Sequence, residues 1–265
     1  MEKKTVVMSR IPQEPDRDIR RAAELLKACK HGVALTGAGI STPSGIPDFR
    51  SSGSGLWKRY DPFEVASLSA FRYHPERFFD WMRTLAQVVV QAEPNPAHYA
   101  LAKMEAAGII QVIITQNIDG LHQRAGSRCV LEVHGTFNTL TCIGCYRQFD
   151  ANNFLQPYLA YGIIPRCPGC NQILKPDVIL FEEQLPLQTW LKAHEACQNS
   201  DLILVAGSSL EVMPVAGLPM QALLNGAKLI IVNHMTTYLD IRADVLFHQD
   251  VADILPRIST TVIGG

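Results

Sequence analysis

The chain has 265 residues and a formal net charge of -1 at pH 7, and 47% of its residues are hydrophobic. This length suits one large domain or two of unequal size, and the apolar content is enough for a buried core. A charge so close to zero excludes electrostatic steering towards nucleic acid or an anionic membrane. The first residues lack the apolar run of a signal peptide, and no stretch reaches the roughly 18 apolar residues of a membrane span. We therefore expect a soluble, cytoplasmic protein.

Helix-like and strand-like segments alternate along much of the chain. Residues 16–31 carry apolar residues at helical spacing, whereas residues 110–115 are rich in β-branched residues, as buried strands are. The predicted strands are 33–36, 110–115, 178–181, 202–206 and 228–232, and the predicted helices are 16–31, 96–107, 189–198, 214–225 and 251–258. This alternation indicates an α/β fold with a Rossmann-like, doubly wound parallel sheet.

Two segments interrupt the alternation. Residues 43–84 are rich in aromatic residues and proline, which predicts short helices and loops, and residues 139–176 carry two cysteine pairs. We interpret both segments as insertions that form a smaller lobe. The expected domains are a large one over 1–42, 86–138 and 177–265, and a small one made of a helical module, 43–85, and a cysteine module, 139–176.

Four of the seven cysteines form two Cys-x-x-Cys pairs, Cys142/Cys145 and Cys167/Cys170. Two such pairs in one segment fit a tetrahedral zinc site with four thiolate ligands. Redox-active dithiols are the competing interpretation, although a single pair at the start of a helix would suit redox chemistry better. Four cysteine ligands close the coordination shell, so the predicted zinc is structural. The remaining cysteines, which we expect to be small buried residues, are Cys29, Cys129 and Cys197.

Small and polar residues follow four of the predicted strands. A glycine-rich stretch after the first strand, 36–50, could present backbone N–H groups to a phosphate, and its charged Asp48 and Arg50 exceed what a plain phosphate loop needs. The other segments after strands are 116–120, 207–209 and 233–234. A Gly-Ser-Ser sequence alone is often an ordinary turn. Because parallel sheets bind ligands at the carboxyl ends of their strands, the four segments together predict a nucleotide crevice.

One of the eight histidines stands out by its position. His134 lies just before the first cysteine pair, at the expected junction of the two lobes. Most histidines are surface residues or hydrogen-bonded core residues. A histidine at this junction could act as a general base on a ligand held in the crevice.

Several short motifs together resemble one protein family. They are Gly37-Ala-Gly-Ile-Ser41, Ser44-Gly-Ile-Pro-Asp-Phe-Arg50, Thr115-Gln-Asn-Ile-Asp-Gly-Leu-His122, Val133-His-Gly-Thr136, the two cysteine pairs, Lys175-Pro-Asp-Val178 and Gly207-Ser-Ser-Leu210. In this order and spacing, from about residue 17 to residue 255, the sequence resembles the sirtuins, NAD-dependent protein-lysine deacylases. The short tails resemble a minimal catalytic core of the bacterial or archaeal type.

The resemblance implies a role for each motif. His134 would be the general base, and Asn117 would act with it on the nicotinamide ribose. The residues implied to bind NAD are Gly37, Ala38, Gly39, Ile40, Ser41, Pro47, Asp48, Phe49, Arg50, Trp57, Gln116, Asn117, Ile118, Asp119, Gly207, Ser208, Ser209, Asn233, His234 and Val251. The residues implied to bind the substrate peptide are Val178, Leu180, Phe181, Glu182 and Glu183, and those implied to bind zinc are Cys142, Cys145, Cys167 and Cys170.

The implied reaction consumes NAD as a co-substrate. The acyl-lysine carbonyl oxygen attacks the nicotinamide ribose, and nicotinamide, free lysine and acyl-ADP-ribose are formed. The alternative enzyme is an NAD-dependent protein ADP-ribosyltransferase on the same scaffold. The alternative that is not an enzyme is a zinc-ribbon module that binds protein or nucleic acid. The expected partners are acylated-lysine proteins or peptides and NAD, with no direct nucleic-acid or membrane binding, and the protein is expected to be a monomer.

Two features bear on substrate choice. The family's peptide segment usually ends Phe-Gly-Glu, whereas this chain has Glu182 at the glycine position. We take Glu182 to favour basic residues in the peptide or to restrict its access. Sirtuins that prefer succinyl or malonyl groups carry Tyr and Arg where this chain has Met82 and Leu85. Because neither can pair with a carboxylate, the sequence predicts a preference for neutral acyl groups.

Overall fold

The computed structural model describes residues 15–48 and 60–264. The predicted NAD-binding residues Phe49, Arg50 and Trp57 lie outside the described residues. The strands are β1 Gly32–Thr36, β2 Ile110–Thr115, β3 Val130–Glu132, β4 Gly135–Cys142, β5 Gln148–Asp150, β6 Leu174–Val178, β7 Leu202–Ala206, β8 Lys228–Val232 and β9 Val245–Phe247. The helices are α1 Pro15–Ala28, α2 Pro62–Val65, α3 Leu68–Tyr73, α4 Pro75–Gln91, α5 Pro96–Ala106, α6 Leu121–Arg124, α7 Asn152–Tyr161, α8 Leu187–Asn199, α9 Leu218–Leu224 and α10 Val251–Ile263.

The larger sheet has six parallel strands in the order β3-β2-β1-β7-β8-β9. Every residue of β1 and β7 is buried, as expected for central strands covered on both faces. The chain builds outwards from β1 in one direction and from β7 in the other. The point where the order reverses therefore lies between these two strands, where open α/β sheets bind ligands. The sheet is parallel and doubly wound, as the sequence predicts.

Helices cover both faces of this sheet. On one face α1, α5 and α10 pack together, and on the other lie α8 and α9. The apolar positions of α1 recur at helical spacing from Ile19 to Leu26, so one stripe of the helix is buried. Of the lone cysteines, Cys197 is buried as predicted, Cys29 is half-buried and Cys129 is exposed. The expectation of burial is wrong for Cys129, because it lies at the surface just before β3.

The smaller sheet has three antiparallel strands in the order β5-β4-β6. The predicted strand 178–181 is wrong in its bounds, because the strand runs from Leu174 to Val178. It pairs with β4 of the small sheet, so its apolar continuation Ile179–Leu180 forms a loop instead. The strands β4 and β6 also cross the boundaries predicted at residues 138 and 177.

A helical module of α2, α3 and α4 lies beside the small sheet, together with α7. The sequence predicts short helices here, but α4 spans 17 residues and passes the boundary predicted at residue 85. Its core is aromatic: Phe78 packs edge-on against Phe71 and Phe79, and the hydroxyl of Tyr158 donates to the carbonyl of Phe79. Among the helices of the described chain, none is both long enough and apolar enough to span a membrane.

Candidate active site

The loop after β1 touches the loop after β7. The N–H of Gly39 donates to the carbonyl of Gly207 at 2.8 Å. A Cβ on Gly39 would lie 2.9 Å from Cα of Gly207, and one on Gly207 would lie 2.5 Å from the carbonyl carbon of Gly39. Gly207 also has a φ of 62°, which favours glycine. Glycine is therefore needed at both positions for the two loops to meet.

The N–H groups of this glycine loop are largely used within the fold. Those of Gly37, Gly39, Ile40 and Ser41 donate to backbone carbonyls, and the loop forms two short 3₁₀ turns. The feature that fits a phosphate is therefore the close approach that small residues allow, rather than four unsatisfied donors. The amide of Asn95, the N-cap of α5, holds the loop from below by donating to the carbonyl of Ile40 and to the hydroxyl of Ser44.

The segment after β2 is hydrogen-bonded to the glycine loop. The side-chain amide of Asn117 donates to the carbonyl of Gly37 at 3.1 Å and to the hydroxyl of Ser41 at 3.0 Å. That hydroxyl in turn donates to Asp119 at 2.7 Å. Burial raises the pKa of the Asp119 carboxyl, while hydrogen bonds from the N–H of Leu121 and from Ser41 lower it. The structure thus brings the glycine loop after β1 together with the predicted segment 116–120 after β2.

His134 lies in the chain between β3 of the larger sheet and β4 of the smaller sheet. Its Nδ1 lies 3.1 Å from the carbonyl oxygen of Gln116, and its own carbonyl accepts from the N–H of Ile179 at 2.8 Å. A carbonyl oxygen only accepts hydrogen bonds, so Nδ1 carries the proton of the neutral ring. The lone pair then lies on Nε2, the nitrogen that can act as a base. The side chain of Gln116 donates to Ser208, which links β2 to the loop after β7.

A cavity of about 360 Å³ opens beside His134. Its polar end includes Ser41, Gln116, Asn117 and Asp119. Glu182 and Glu183 also line it, and the remaining lining residues apart from His134 are apolar. The apolar lining residues are Ala38, Ile46, Pro47, Ala66, Trp81, Met82, Leu85, Val89, Ile118, Phe137, Val178, Ile179, Leu180, Phe181, Leu185, Val212 and Met213. Among the lining residues that the structure describes, none is Lys or Arg. The cavity can therefore hold a polar reacting group and a neutral, apolar chain together.

The predicted peptide segment forms one rim of this cavity. Phe181 pairs with the helical module through N–H and carbonyl bonds to Ala66 and Leu68. The carboxylate of Glu183 accepts from the N–H of Leu180 and from Lys175, both at 2.9 Å. These contacts hold the segment between the small sheet and the helical module.

Glu182 adopts a backbone φ of 73°, a value that favours glycine. Its carboxylate accepts from both the N–H and the hydroxyl of Ser69, at 2.9 and 2.7 Å, and these bonds lower its pKa. Glu182 thus ties the peptide segment to the start of α3. This contact competes with the predicted use of Glu182 as a reader of basic peptide residues, which stays a hypothesis.

The predicted NAD-binding residues Asn233, His234 and Val251 lie in the segments that follow β8 and β9. Asn233 is buried, and its N–H donates to the carbonyl of Phe247. Val251 is buried at the start of α10, whereas His234 is exposed, with Nε2 3.9 Å from Asp250. In the described chain, these residues and 207–209 lie outside the cavity lining. They continue the row of strand ends away from His134, and their roles remain predictions.

The four paired cysteines converge at one end of the small sheet. Their sulfurs lie within 4.8 Å of one another, with Cys142 and Cys170 at 3.4 Å and Cys145 and Cys167 at 3.6 Å. A tetrahedral zinc with ligands at 2.3 Å requires sulfurs about 3.8 Å apart, so the cluster fits a structural zinc. The N–H groups of Gly144 and Cys145 donate to the sulfur of Cys142. A hydrogen bond from Arg147 lowers the pKa of Cys145 to about 6, which favours the thiolate that zinc binds.

The structure adds residues that the sequence analysis does not single out. Leu185, Val212, Met213 and Phe137 line the cavity, and Asn95 braces the glycine loop. Val212 and Met213 follow the Gly207-Ser-Ser-Leu210 motif after one intervening residue, Glu211, so their position shortly after a strand end is a usable signal. Asn95 before Pro96 is a recognisable helix start, but its contact with Ile40 depends on tertiary packing.

Comparison with known proteins gives a consistent result. A sequence model of the Sir2 family matches residues 37–214. The NAD-dependent protein deacylase 2 of Archaeoglobus fulgidus is 48% identical over 242 residues, which cover 91% of this chain and 94% of that protein. The NAD-dependent protein deacetylase of Sulfolobus acidocaldarius is 42% identical over 241 residues, which cover 91% and 94%.

Solved structures agree over almost the whole chain. A structure of a Sir2 enzyme has a TM-score of 0.87 and 47% identity, covering 93% of this chain and 98% of its own. A relative bound to a myristoylated histone peptide has a TM-score of 0.80 and 41% identity, with coverages of 93% and 97%. A relative bound to a propionylated peptide has a TM-score of 0.82 and 37% identity, with coverages of 91% and 96%. The sequence motifs, the fold and these relatives show that the chain belongs to the Sir2 family, the sirtuins.

Proposed function

We propose that this protein is an NAD-dependent protein-lysine deacylase in which His134 is the general base. The observation that carries the proposal is the single cavity in which His134 lies. Asn117 and Asp119 form its polar end, while the peptide segment 178–183 forms its rim. A cavity with a base, buried amide and carboxyl groups and an adjacent backbone edge suits a peptide side chain that meets a nucleotide. The names of the relatives, which are NAD-dependent deacylases and deacetylases, support the same function.

The proposed reaction assigns the steps to residues of this chain. The carbonyl oxygen of the acyl-lysine bonds to C1′ of the nicotinamide ribose, and the bond from C1′ to nicotinamide breaks. Nε2 of His134 then accepts a proton from a ribose hydroxyl, whose oxygen attacks the imidate carbon. Addition of water completes release of free lysine and acyl-ADP-ribose. Asn117 orients the ribose, and the apolar walls exclude other water from the reacting centre.

We further propose that neutral acyl groups are preferred over succinyl and malonyl groups. Met82 and Leu85 both line the cavity and are only 2% and 6% exposed. Two apolar side chains cannot compensate the desolvation of an acyl carboxylate. The relatives solved with myristoylated and propionylated peptides carry neutral acyl groups, which supports the proposal.

The alternative ADP-ribosyltransferase would need the NAD site but no acyl channel. The apolar cavity behind the peptide segment favours deacylation, because an acyl chain would fill it. Protein ADP-ribosylation involves no acyl chain. Incubation of the protein with NAD and an acetyl-lysine peptide separates the two by mass spectrometry. Deacylation yields acyl-ADP-ribose in solution, whereas the alternative leaves ADP-ribose on protein.

The decisive experiment is an NAD-dependent assay over acetyl-, propionyl-, myristoyl- and succinyl-lysine versions of one peptide. We expect turnover of the neutral acyl groups and loss of at least about 100-fold in kcat for His134→Ala. Ser259→Ala, which removes a buried hydroxyl on α10, serves as the matched control with activity retained. Absence of nicotinamide release on every peptide, or full activity of His134→Ala, would contradict the proposal.

We also propose that the protein works in the cytoplasm as a monomer and binds no nucleic acid directly. The formal net charge of -1 supports the last point, because nucleic-acid binding depends on clustered positive charge. Light scattering tests the monomer, and a gel-shift assay at low salt tests nucleic-acid binding. The division into large and small domains is part of the same proposal, with the active site at their junction.

A further inference from the structure

Two buried histidines lie beneath the proposed active site, and the proposed reaction does not use them. His98 of α5 is 0% exposed, and His122 of α6 is 1% exposed. Their ring centroids are 4.9 Å apart, and the ring planes meet at 62°. Burial lowers the pKa of His98 to about 4 and, together with the nearby His98, that of His122 to about 3. Both rings are therefore neutral near pH 7, so each carries one N–H.

The partners of the two rings indicate where each proton lies. The backbone N–H of Asn95 donates to Nδ1 of His98 at 3.3 Å, so the proton of His98 is on Nε2. Nε2 of His122 lies 2.9 Å from the hydroxyl of Thr36. Within the described residues, the ring atoms without a hydrogen-bond partner are Nε2 of His98 and Nδ1 of His122.

These two ring atoms distinguish the two tautomers of His122. With its proton on Nδ1, the neighbouring rings of His98 and His122 would present two buried N–H donors and no acceptor, which is costly. With the proton of His122 on Nε2, only one of these two ring atoms, Nε2 of His98, is a buried N–H without an acceptor. The second tautomer is therefore favoured, and Nε2–H of His122 donates to the hydroxyl oxygen of Thr36.

A directed chain of hydrogen bonds follows from this tautomer. Because the oxygen of Thr36 accepts from His122, its own proton is directed to the hydroxyl oxygen of Thr115 at 2.9 Å. The oxygen of Thr115 also accepts from the backbone N–H of Asn117 at 3.1 Å. Thr36 and Thr115 are partners in register at the carboxyl ends of β1 and β2, and both are buried. Chains of buried hydrogen bonds strengthen one another.

We propose that His122, acting through Thr36 and Thr115, is a positioning residue for Asn117 and thereby for His134. The proposal rests on the proposed function, since it assigns no new reaction. The backbone of Asn117 is held by Thr115, while its side chain is held by Gly37 and Ser41. The preceding residue, Gln116, presents its carbonyl to Nδ1 of His134. One chain of buried groups thus positions the side-chain amide of Asn117, which is proposed to bind the ribose, and helps to fix the tautomer of His134, the proposed base.

Substitutions at Thr36 test the chain while conserving shape. Thr36→Val removes the hydroxyl but keeps the volume, and we expect kcat/KM for NAD to fall about tenfold. Thr36→Ser keeps the hydroxyl, so activity should recover to within about twofold of the wild type. Ser259→Ala is the matched control, because it removes a buried hydroxyl that bonds the carbonyl of Ala100 outside the cavity lining and should lower stability only. Equal activities of the Val and Ser variants would overturn the proposal.

The tautomer itself can be measured on the full-length, zinc-loaded wild-type protein. Long-range ¹H–¹⁵N NMR with labelled histidine should show His122 protonated on Nε2 and bare on Nδ1, with no titration above about pH 5. A His122 with its proton on Nδ1, or one that titrates near neutral pH, would overturn the proposal even if Thr36→Val did not fold. A correct tautomer in a protein without deacylase activity would refute the proposed function alone.

Discussion

A single methyl group on Gly207 is expected to separate the loop after β1 from the loop after β7, which are predicted to hold NAD. The Cβ of Gly207→Ala would lie 2.5 Å from the carbonyl carbon of Gly39, whereas ordinary contacts begin near 3.4 Å. The loops must therefore move apart by about 1 Å, which stretches the 2.8 Å bond from Gly39 to Gly207 beyond hydrogen-bonding range. The substitution also forces alanine into a φ of 62°.

The expected cost follows from these two effects. Alanine in the left-handed region costs about 1–2 kcal/mol, and the lost hydrogen bond adds roughly 1 kcal/mol. A total of about 2–3 kcal/mol lowers Tm by roughly 4–12 °C in a protein of this size. Because a displacement of about 1 Å at a reacting centre can cost about 100-fold in rate, we expect a loss of this order in kcat/KM for NAD.

Gly226→Ala is the matched control for backbone strain. Gly226 has a φ of 93°, and a Cβ there would meet nothing within 4 Å. This variant should lose about 1–2 kcal/mol of stability but keep kcat/KM for NAD within about threefold of the wild type. The assays are thermal melting and initial rates of nicotinamide release against NAD concentration. If both variants kept the same kcat/KM, the close approach of the loops would not be needed for NAD, and the reasoning would fail.

Three further predictions concern the acyl cavity, the cysteine cluster and the buried histidines. Leu85→Arg places a cation in the cavity, so the succinyl-to-acetyl ratio of kcat/KM on matched peptides should rise at least about tenfold. Removal of zinc by a chelator leaves four thiolates at one end of the small sheet, so Tm in a thermal melt should fall and recover when zinc is restored. The pKa values of His98 and His122, about 4 and about 3, lie below the ordinary 6.5. The unfolded chain therefore binds more protons than the folded chain below about pH 6.5. The free energy of unfolding should be unaffected by these two histidines above that pH and should fall on acidification by about 1.4 kcal/mol per pH unit for each of them. Urea unfolding at a series of pH values measures this fall.

Each of these predictions has a control and a contrary outcome. Leu85→Met conserves the apolar wall and should leave the acyl ratio unchanged, so an equal shift in both variants would exclude charge as the cause. If elemental analysis shows that the chelator has removed the zinc and Tm is nevertheless unchanged, a structural role for zinc would be contradicted. For the histidines, the raised pKa values of Asp119 and Glu132 act in the opposite direction, because burial disfavours their charged forms. Stability that is constant from about pH 7.5 to 5 would contradict the neutral histidine pair.

Predictions from the sequence are most accurate for features that depend on residues adjacent in the chain. The alternation of apolar segments predicts the parallel sheet, and four of its strands, β1, β2, β7 and β8, lie where expected to within a residue. The cysteine pairs predict a cluster because each Cys-x-x-Cys turn already brings two sulfurs together. The strand 178–181 is misplaced because an apolar run alone does not say which sheet a strand joins.

The local chemistry of this protein was therefore determined by the sequence itself: the glycine loop, the cysteine pairs, the residues at strand ends and the resemblance that they carry. The tertiary structure alone decided how those parts meet. It placed His134 against Gln116, closed the apolar cavity with Val212 and Met213, tied Glu182 to Ser69, and set His122 beneath Thr36. Turns and periodicity depend on residues that are adjacent in the chain, whereas these contacts join residues far apart in it. Only the packing of the whole chain fixes their distances and directions.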